Sequence, residues 1–507
     1  MMFSLLGLPA LSSILCFLST ERVARRIALA SSFIGAAASC ILYLHFSSTG
    51  AMQYAISWTW IPSWNVHFAL GIDSLSFWFV ILSKLLMPLA LIAALDEPKK
   101  NPALWGLLLL LDTAMTGTFL ATDAFLFYVF WEASLIPMFF VIGLWGSKNR
   151  IAAAVKFFVY TFSGSVLMLA ALLYLITQST HILGHPTTSI SQLYHVAQQL
   201  WLLKQTLWGL PVQDWILFAF LAAFAIKTPL VPVHTWLPLA HVEAPAAGSI
   251  LLAGVLLKMG IYGMLRFAGP ICIGSVAAYA PYLRCIALAG ILYGAWAAYH
   301  QTDMKKLVAY SSVSHMGFVF LGLVSLTPTG LQGAVLQMFN HGISTGALFF
   351  LVGCLYHRRH TRDFSEFGGL AQFVPWFSVF FVIVAFSSMG VPGLNGFVGE
   401  FLILLGSFYV SPWLTTLAVL GVIFAAAYIL LFVREVLFGV TRNVENKTMA
   451  DLKLREWLAL TPMVIGIIVL GLAPRLFLRK IPWNEMMGHG IVQDAEPRMA
   501  SQHDKPL

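Results

Sequence analysis

Long apolar runs follow one another along almost the whole chain and are separated by short polar connections. Runs such as "ALWGLLLLL" (103–111) and "FSVFFVIVAF" (377–386) are apolar on every side, as is typical of helices buried in a membrane. At about 20 residues per crossing, the pattern predicts fourteen helices in one all-α, polytopic transmembrane domain covering residues 1–507. The helices are expected near residues 2–19, 27–47, 74–95, 103–122, 124–146, 151–177, 214–233, 246–269, 280–299, 307–326, 330–356, 373–410, 412–437 and 457–476.

Proline and glycine interrupt two of the predicted helices. The seventh contains "FAIKTPLVPVHTWLP" (224–238) and the twelfth contains "SSMGVPGLNGFVGEF" (387–401). Such residues free backbone groups that lipid cannot satisfy, so each break is expected to line a hydrated cavity. Because the broken helices lie five spans apart, they predict an internal repeat, with units at about 103–269 and 280–437. Five is an odd number, so the second unit is expected to be inverted relative to the first.

Basic residues in the connections predict the orientation of the helices. Lysine and arginine concentrate in the loops after odd-numbered helices, which are therefore expected to be cytoplasmic, with both termini outside. These residues are Arg22, Arg25, Arg26, Lys99, Lys100, Lys148, Arg150, Lys305, Lys306, Arg358, Arg359, Arg362, Arg442, Lys447, Lys453 and Arg455. The two long connections, 48–72 and 178–213, contain tryptophans and are interpreted as outside pieces anchored at the membrane interface. The tail, 477–507, is expected to be loosely ordered.

Composition supports a membrane protein and excludes several kinds of site. The 507 residues are 59% hydrophobic and 10% charged, against roughly 25% charged in soluble domains. The five cysteines form no C-x-x-C or Cys/His cluster, so no iron–sulfur, zinc or other cofactor site is expected in this chain. No glycine-rich phosphate loop opens a βαβ unit, and the sequence indicates no nucleotide or nucleic-acid binding.

Ionisable residues within predicted spans are candidates for function, because their charged forms are costly in lipid. They are Lys84, Asp112, Glu132, Lys156, Lys227, Lys258 and Glu400, joined near mid-span by His315 and His341. Lys84, Lys156 and Asp112 have an equally good structural interpretation, which for Asp112 is a protonated hydrogen bond between helices. Arg266 lies late in its span and is expected to extend to the interface.

Lys227 lies beside the break in the seventh helix, where water is expected. Desolvation favours a neutral lysine, whereas a nearby carboxylate such as Glu132 favours the ammonium form. At about 4 Å and an effective dielectric near 20, that attraction is roughly 4 kcal/mol. A change at Glu132 could therefore decide whether Lys227 holds a proton, and such a lysine can carry protons.

Four runs of sequence resemble a known family. They are "HTWLPLAHVEAPAAGSILLAGVLLKMGIYGMLRF" (234–267), "QTDMKKLVAYSSVSHMGFV" (301–319), "NHGISTGALFFLVG" (340–353) and "GVPGLNGFVGEF" (390–401). The chain resembles the proton-translocating, antiporter-like subunits of respiratory complex I, over roughly 65–440. Within them it is most similar to the M type of bacterial NADH:quinone oxidoreductase, the counterpart of mitochondrial subunit 4. Glu400 stands where the sister types carry lysine, which favours the M type.

The resemblance implies roles for six residues. Glu132 and Lys227 would form a switched pair, Lys258 would relay protons, and Glu400 would take part in the outlet. His315 and His341 would lie on the polar axis between the two lysines and Glu400. Flavin, iron–sulfur clusters and quinone are expected in partner subunits and not in this chain, and the location implied is the bacterial plasma membrane.

Some positions depart from the pattern or leave their role open. Leu239 stands where many relatives carry a charged residue, and His234 and His241 could equally cap the helix break or carry protons. The alternatives are a subunit of a multisubunit Na⁺/H⁺ antiporter or membrane-bound hydrogenase, and a scaffold subunit that transports nothing.

Overall fold

The computed structural model describes residues 1–47, 51–98 and 101–480 and confirms the all-α membrane fold. Eleven helices of the described residues are long and apolar enough to cross a membrane, and further shorter apolar helices lie between them. In chain order the passes are α1 (Phe3–Phe17), α2 (Glu21–His45), α3 (Ser74–Ala94), α4 (Pro102–Leu120), α5 (Ala124–Trp145), α6 (Arg150–Leu183), α7 (Val212–Lys227 with Trp236–Glu243), α8 (Ala246–Ile271), α9 (Ile273–Tyr299), α10 (Met304–Val324), α11 (Pro328–Arg359), α12 (Pro375–Met389 with Asn395–Phe408), α13 (Pro412–Leu437) and α14 (Leu454–Leu472). These correspond in order to the fourteen predicted helices.

The first long connection contains a hairpin that the sequence did not predict. Strands β1 (Gln53–Ile61) and β2 (Val66–Ile72) pair antiparallel through a tight turn at Pro62–Trp64. Trp58 is 57% exposed and stacks on Phe68 across the hairpin, with ring centroids 5.0 Å apart. The pairing has two irregularities of register, between Gln53 and Ile56 and between Thr59 and Ile61, and the interfacial position of the segment stays a prediction.

The second long connection is shorter than expected. Helix α6 continues to Leu183, beyond the predicted end at 177, and stops at Gly184, whose φ of 78° lies in the left-handed region. A short helix, Ile190–Leu202, then buries one apolar face, including Leu193 and Val196. Residues 48–50, 99–100 and 481–507 lie outside the described residues, and with them Lys99, Lys100 and nearly all of the predicted loose tail.

The break in α7 is confirmed, but the helix resumes where the sequence predicted none. The first half ends at Lys227, residues 228–235 are irregular, and a second half-helix runs over Trp236–Glu243. The indole Nε1 of Trp236 donates a hydrogen bond of 2.9 Å to the carbonyl of Ile226, a group that a continuous helix would have used internally. A side chain thus satisfies the backbone that proline had freed.

The break in α12 uses glycine instead. Gly390 and Gly393 have φ of 81° and 92°, in the region that side chains rarely adopt. The second half-helix then begins at Asn395, whose side chain and backbone are both buried. The two broken helices confirm that part of the predicted fold, while the boundaries of the two repeats stay a prediction.

Lys84 and Asp112 form a buried ion pair that the sequence interpretation had not joined. Lys84 Nζ donates to Asp112 Oδ2 at 2.7 Å, and the two side chains are 1% and 2% exposed. The hydroxyl of Ser83 donates to the other carboxylate oxygen at 3.2 Å. The ion pair links α3 to α4, and each charged group has a hydrogen-bond partner inside the helix bundle.

Arg266 is paired with Asp73 at the start of α3, and the prediction that it extends to the membrane interface stays a prediction. Its guanidinium makes two hydrogen bonds to Asp73, at 2.6 and 2.9 Å, and Tyr262 accepts a further one at 3.0 Å. Burial acts to raise the pKa of Asp73, but Arg266 outweighs that effect and the pKa falls to about 2. Arg266 therefore fastens the end of α8 to the start of α3.

Breaking the Lys84–Asp112 pair by one substitution should destabilise the protein more than removing both charges. Asp112→Leu leaves a buried ammonium without its partner, and we expect a loss of about 3–5 kcal/mol. The double variant Lys84→Met/Asp112→Leu should recover most of that loss, because no charge remains buried. Thermal unfolding of the assembled protein measures both. An equally large loss in the double variant would show that the pair has a role beyond satisfying its own charges.

Candidate functional site: a buried polar axis

The first group of candidate residues lies where α5 meets the end of the first half of α7. Lys227 Nζ donates to the hydroxyl of Ser134 at 3.2 Å and lies 5.1 Å from the ring centroid of Trp131. Glu132, half-buried in the isolated chain, lies within electrostatic reach of Lys227, but the two form no ion pair in the described structure. Its Oε1 atom is buried without a hydrogen-bond partner in the described structure. The charged groups of Lys227 and Glu132 are therefore near each other but not in hydrogen-bonding contact.

Lys258 lies at the centre of the protein and owes its position to an irregular helix. Residues Leu252–Leu256, just before it, form a π-helical turn within α8. Such turns are frequent at functional sites, and Lys258 Nζ donates to the carbonyl of Ala253 within this one. The same nitrogen meets His341 Nδ1 at 2.7 Å. The side chain of Lys258 is fully buried, so these two contacts replace water around it.

The polar contacts continue from His341 to Glu400. The rings of His341 and His315 lie 5.6 Å apart, centroid to centroid. His315 Nδ1 lies 2.8 Å from Glu400 Oε1, and the amide of Gln337 donates to the same oxygen at 3.1 Å. Four of the six candidate residues, from α8, α11, α10 and α12, thus form one buried line.

Polar side chains line the break in α12 beside this chain. Asn340 Nδ2 donates to the carbonyl of Asn395 at 2.7 Å, and Ser344 and Ser387 share a hydrogen bond of 2.7 Å. A small cavity between them is also lined by His315, Gln337 and His341. The sequence analysis missed Gln337, Asn340 and Asn395, although an amide deep in an apolar helix is a signal of the same kind as a buried charge.

Helices α7 and α8 approach closely between the two groups. At Gly260 a Cβ atom would come within 2.1 Å of the Thr228 hydroxyl and 2.7 Å of the Phe224 carbonyl. Thr228 is fully buried and its hydroxyl has no partner in the described structure. No direct hydrogen bond links Lys227 to Lys258 among the described residues. The six candidates therefore form a pair and a chain of four, separated by this crossing.

The remaining candidates lie beside the axis. Lys156 Nζ lies 5.5 Å from the ring centroid of Tyr160, and His234 packs edge-on against Tyr293 at 4.9 Å. His241 is fully buried and stacks on Phe349 at 4.5 Å, and neither of its ring nitrogens has a hydrogen-bond partner in the described structure. Its ring therefore does not cap the break. No three His, Cys, Asp or Glu residues among those described are placed to hold a metal ion.

Adding a methyl group at the α7–α8 crossing should disturb both stability and transport. Gly260→Ala places a Cβ against backbone at 2.7 Å, where little can yield, and we expect a loss of roughly 1–3 kcal/mol. Transport should fall as well, because Lys227 and Lys258 lie at this crossing. Gly466→Ala is the matched control, since the nearest heavy atom there is 3.6 Å from the added Cβ. Thermal unfolding and proton uptake by vesicles measure the two effects, and equal behaviour of the two variants would contradict the expectation.

Comparison with known proteins identifies the family. A family model described as "NADH:quinone oxidoreductase/Mrp antiporter, TM" matches residues 121–425. The chain is 42% identical over 461 residues to NADH-quinone oxidoreductase subunit M of Rhodobacter capsulatus, which covers 90% of this chain and 89% of that protein. It is 38% identical over 469 residues to NADH-ubiquinone oxidoreductase chain 4 of Chondrus crispus, with 92% of each covered.

Solved structures agree with these relatives. A chain of respiratory complex I from Thermus thermophilus with bound NADH superposes with a TM-score of 0.84 at 32% identity, covering 96% of this chain and 99% of that one. A chain of the Mrp complex from Dietzia sp. DQ12-45-1b superposes with a TM-score of 0.80 at 20% identity, covering 98% of both, and shows a common fold alone. The chain belongs to the subunit M family of NADH-quinone oxidoreductase, whose members are antiporter-like, proton-translocating membrane subunits of that complex.

Proposed function

We propose that this chain moves protons along the axis formed by Glu132, Lys227, Lys258, His341, His315 and Glu400, while partner subunits reduce quinone. The observation that supports this most strongly is the chain of contacts from Lys258 through His341 and His315 to Glu400. Each member can hold or release a proton, and all of them except the half-buried Glu132 are buried in the protein. A scaffold subunit would gain nothing from burying these groups.

Glu132 and Lys227 can act as the switch of this pump. In the described structure the side chain of Lys227 donates to a serine hydroxyl and forms no ion pair, so its proton depends strongly on the charge of the nearby carboxylate. Glu132 is half-buried at the surface of the chain, where a neighbouring subunit can alter its charge or position. When Glu132 turns away or becomes neutral, Lys227 loses its electrostatic support and releases its proton towards the α7–α8 crossing.

Lys258 can then pass protons to the second half of the axis. The contact between Lys258 Nζ and His341 Nδ1 lets the ammonium donate to a neutral imidazole. Transfer from His341 to His315 requires water in the cavity between α11 and α12, because the rings lie 5.6 Å apart. His315 is already bonded to Glu400, which completes the line at the second helix break.

The surroundings proposed for the chain follow from its family and its charges. Its partners are other membrane-arm subunits, including neighbouring antiporter-like ones, and lipid. Flavin, iron–sulfur clusters and quinone belong to other subunits. The connections after odd-numbered helices face the bacterial cytoplasm, as does the start of α10 with Lys305 and Lys306 in its first turn, and both termini face outside the plasma membrane.

Removing Lys227 should uncouple the pump. In inverted membrane vesicles, Lys227→Ala is expected to assemble normally but to lose most NADH-driven acidification and quinone reduction, because the proton path is interrupted. Lys447→Ala, at an exposed position on the cytoplasmic loops, should behave like the wild type. Assembly is checked by native electrophoresis of the same membranes. Wild-type pumping in Lys227→Ala would contradict a role for the buried lysine.

Neutralising Glu132 tests the switch separately. Glu132→Gln keeps the shape and removes the charge, so we expect an assembled complex whose pumping is strongly reduced. Glu132→Asp should retain part of the activity, because a carboxylate remains near Lys227. The measurement is the number of protons pumped per NADH oxidised, and an unchanged ratio in Glu132→Gln would contradict the switch.

A further inference from the structure

The small cavity beside the break in α12 is lined by several polar atoms that bond to nothing else. Its volume is about 10 Å³, which is room for about one water molecule. Five of its lining side chains carry a buried polar atom without a hydrogen-bond partner in the described structure: Gln337 Oε1, Asn340 Oδ1, Ser388 Oγ, His315 Nε2 and His341 Nε2. Gln337 and Asn340 are 3% and 1% exposed. Such atoms are costly unless something bonds to them, so together they define a site for a small polar group.

The hydrogen bonds already made by the two amides fix what they present to the cavity. Gln337 Nε2 donates to Glu400 Oε1 at 3.1 Å, and Asn340 Nδ2 donates to the carbonyl of Asn395 at 2.7 Å. The oxygen of each amide is therefore the end that remains for the cavity. An amide oxygen only accepts hydrogen bonds, so both amides call for a donor.

The two imidazoles present one donor and one acceptor when Lys258 is protonated and Glu400 is ionised. His341 Nδ1 lies 2.7 Å from Lys258 Nζ, so it accepts from the ammonium, and the hydrogen of the neutral ring is on Nε2. His315 Nδ1 lies 2.8 Å from Glu400 Oε1, so it donates to the carboxylate and leaves Nε2 as an acceptor. A water molecule between the rings can accept from His341 and donate to His315. Its second hydrogen is then available for an amide oxygen.

Gln337 is held in place by the packing of α11 against α12. It shares one face of α11 with Asn340 and His341, which follow it at spacings of three and four residues. At Gly399 of α12 a Cβ atom would come within 2.9 Å of Gln337 Cβ and would collide with Gln337 Oε1. Glycine at this position therefore leaves room for the amide directly beside Glu400.

We propose that Gln337 is a positioning residue for proton transfer between the two histidines, because its amide orients Glu400 with one end and a bridging water with the other. The ammonium of Lys258 gives a proton to His341 Nδ1 while Nε2 of the same ring gives its proton to the water. The water gives one of its own hydrogens to His315 Nε2, and His315 Nδ1 gives its proton to Glu400. Lys258 ends as the neutral amine and Glu400 as the carboxylic acid, each imidazole ends in the opposite tautomer, and the water is restored. This inference rests on the proposed function and adds to it a residue that does not titrate.

Replacing the amide by a thioether of similar length tests this role. Gln337→Met keeps the approximate volume but neither donates to Glu400 nor accepts from the water. NADH-driven acidification of inverted vesicles should therefore fall several-fold in a complex that native electrophoresis shows to be assembled. Gln332→Met is the matched control, because Gln332 lies on the same helix, is partly buried and does not line the cavity. The control should pump like the wild type.

The variant Gln337→Glu separates positioning from packing. A protonated glutamic acid still donates to Glu400 and accepts from the water, whereas its carboxylate repels Glu400 and donates nothing. Pumping by Gln337→Glu, as a fraction of the wild-type value at the same pH, should exceed that of Gln337→Met at low pH and decline as the pH rises. A packing role would give fractions that do not change with pH. The other titratable groups around this position, which the wild type and both variants share, are Glu400, His315, His341, Lys258 and Tyr428.

Wild-type pumping in Gln337→Met, together with loss of pumping in Lys227→Ala, would overturn this inference and leave the proposed function standing. A pH-independent fraction in Gln337→Glu would overturn it as well. Wild-type pumping in both Gln337→Met and Lys227→Ala would contradict the proposed function itself. If Gln337→Met fails to assemble, Ser388→Ala decides, since it removes a hydroxyl without a hydrogen-bond partner in the described structure. A several-fold loss of pumping in Ser388→Ala would support the bridging water, and wild-type pumping would overturn it.

Discussion

The contact between Lys258 and His341 is the interaction on which the rest of the structure depends. An ammonium at the centre of a membrane protein needs acceptors that replace water, and these are scarce inside α-helices because carbonyl groups are already bonded. Ala253, in the π-helical turn before Lys258, provides a carbonyl acceptor, and α11 brings the imidazole of His341 to 2.7 Å. The helix irregularity is therefore part of the site and not a defect near it.

The two helix breaks also provide polar backbone groups next to a titratable side chain. That side chain is Lys227 in α7 and Glu400 in α12. At each break a different side chain forms a hydrogen bond to the freed backbone. In α7 the indole of Trp236 donates to the carbonyl of Ile226, and in α12 the side-chain amide of Asn340 donates to the carbonyl of Asn395. Polar side chains thereby satisfy freed backbone groups within an apolar bundle, and a small cavity lies beside the break in α12.

The sequence was sufficient for the helices and for the positions of the charges, but not for their pairing. Hydropathy identifies spans because lipid demands about 20 apolar residues per crossing, and prolines and glycines mark the breaks. Which charges meet depends on how helices pack. Arg266 and Asp73 lie 193 residues apart, and Lys84 and Asp112 lie 28 apart, so neither pair has a local signal. The half-helix Trp236–Glu243 was missed because it is too short to produce a hydropathy maximum.

The separation between the two groups of charges is itself informative. A proton path that remained connected from one membrane face to the other would let protons flow back and dissipate the gradient. Here Lys227 and Lys258 belong to different groups, and the closely packed crossing at Thr228 and Gly260 lies between them. The unpartnered hydroxyl of Thr228 is the polar group available at that crossing. The chain from Lys258 to Glu400 lies on one side of the crossing, and the pair of Glu132 and Lys227 lies on the other. This arrangement fits a pump in which proton transfer from Lys227 to Lys258 is the controlled step.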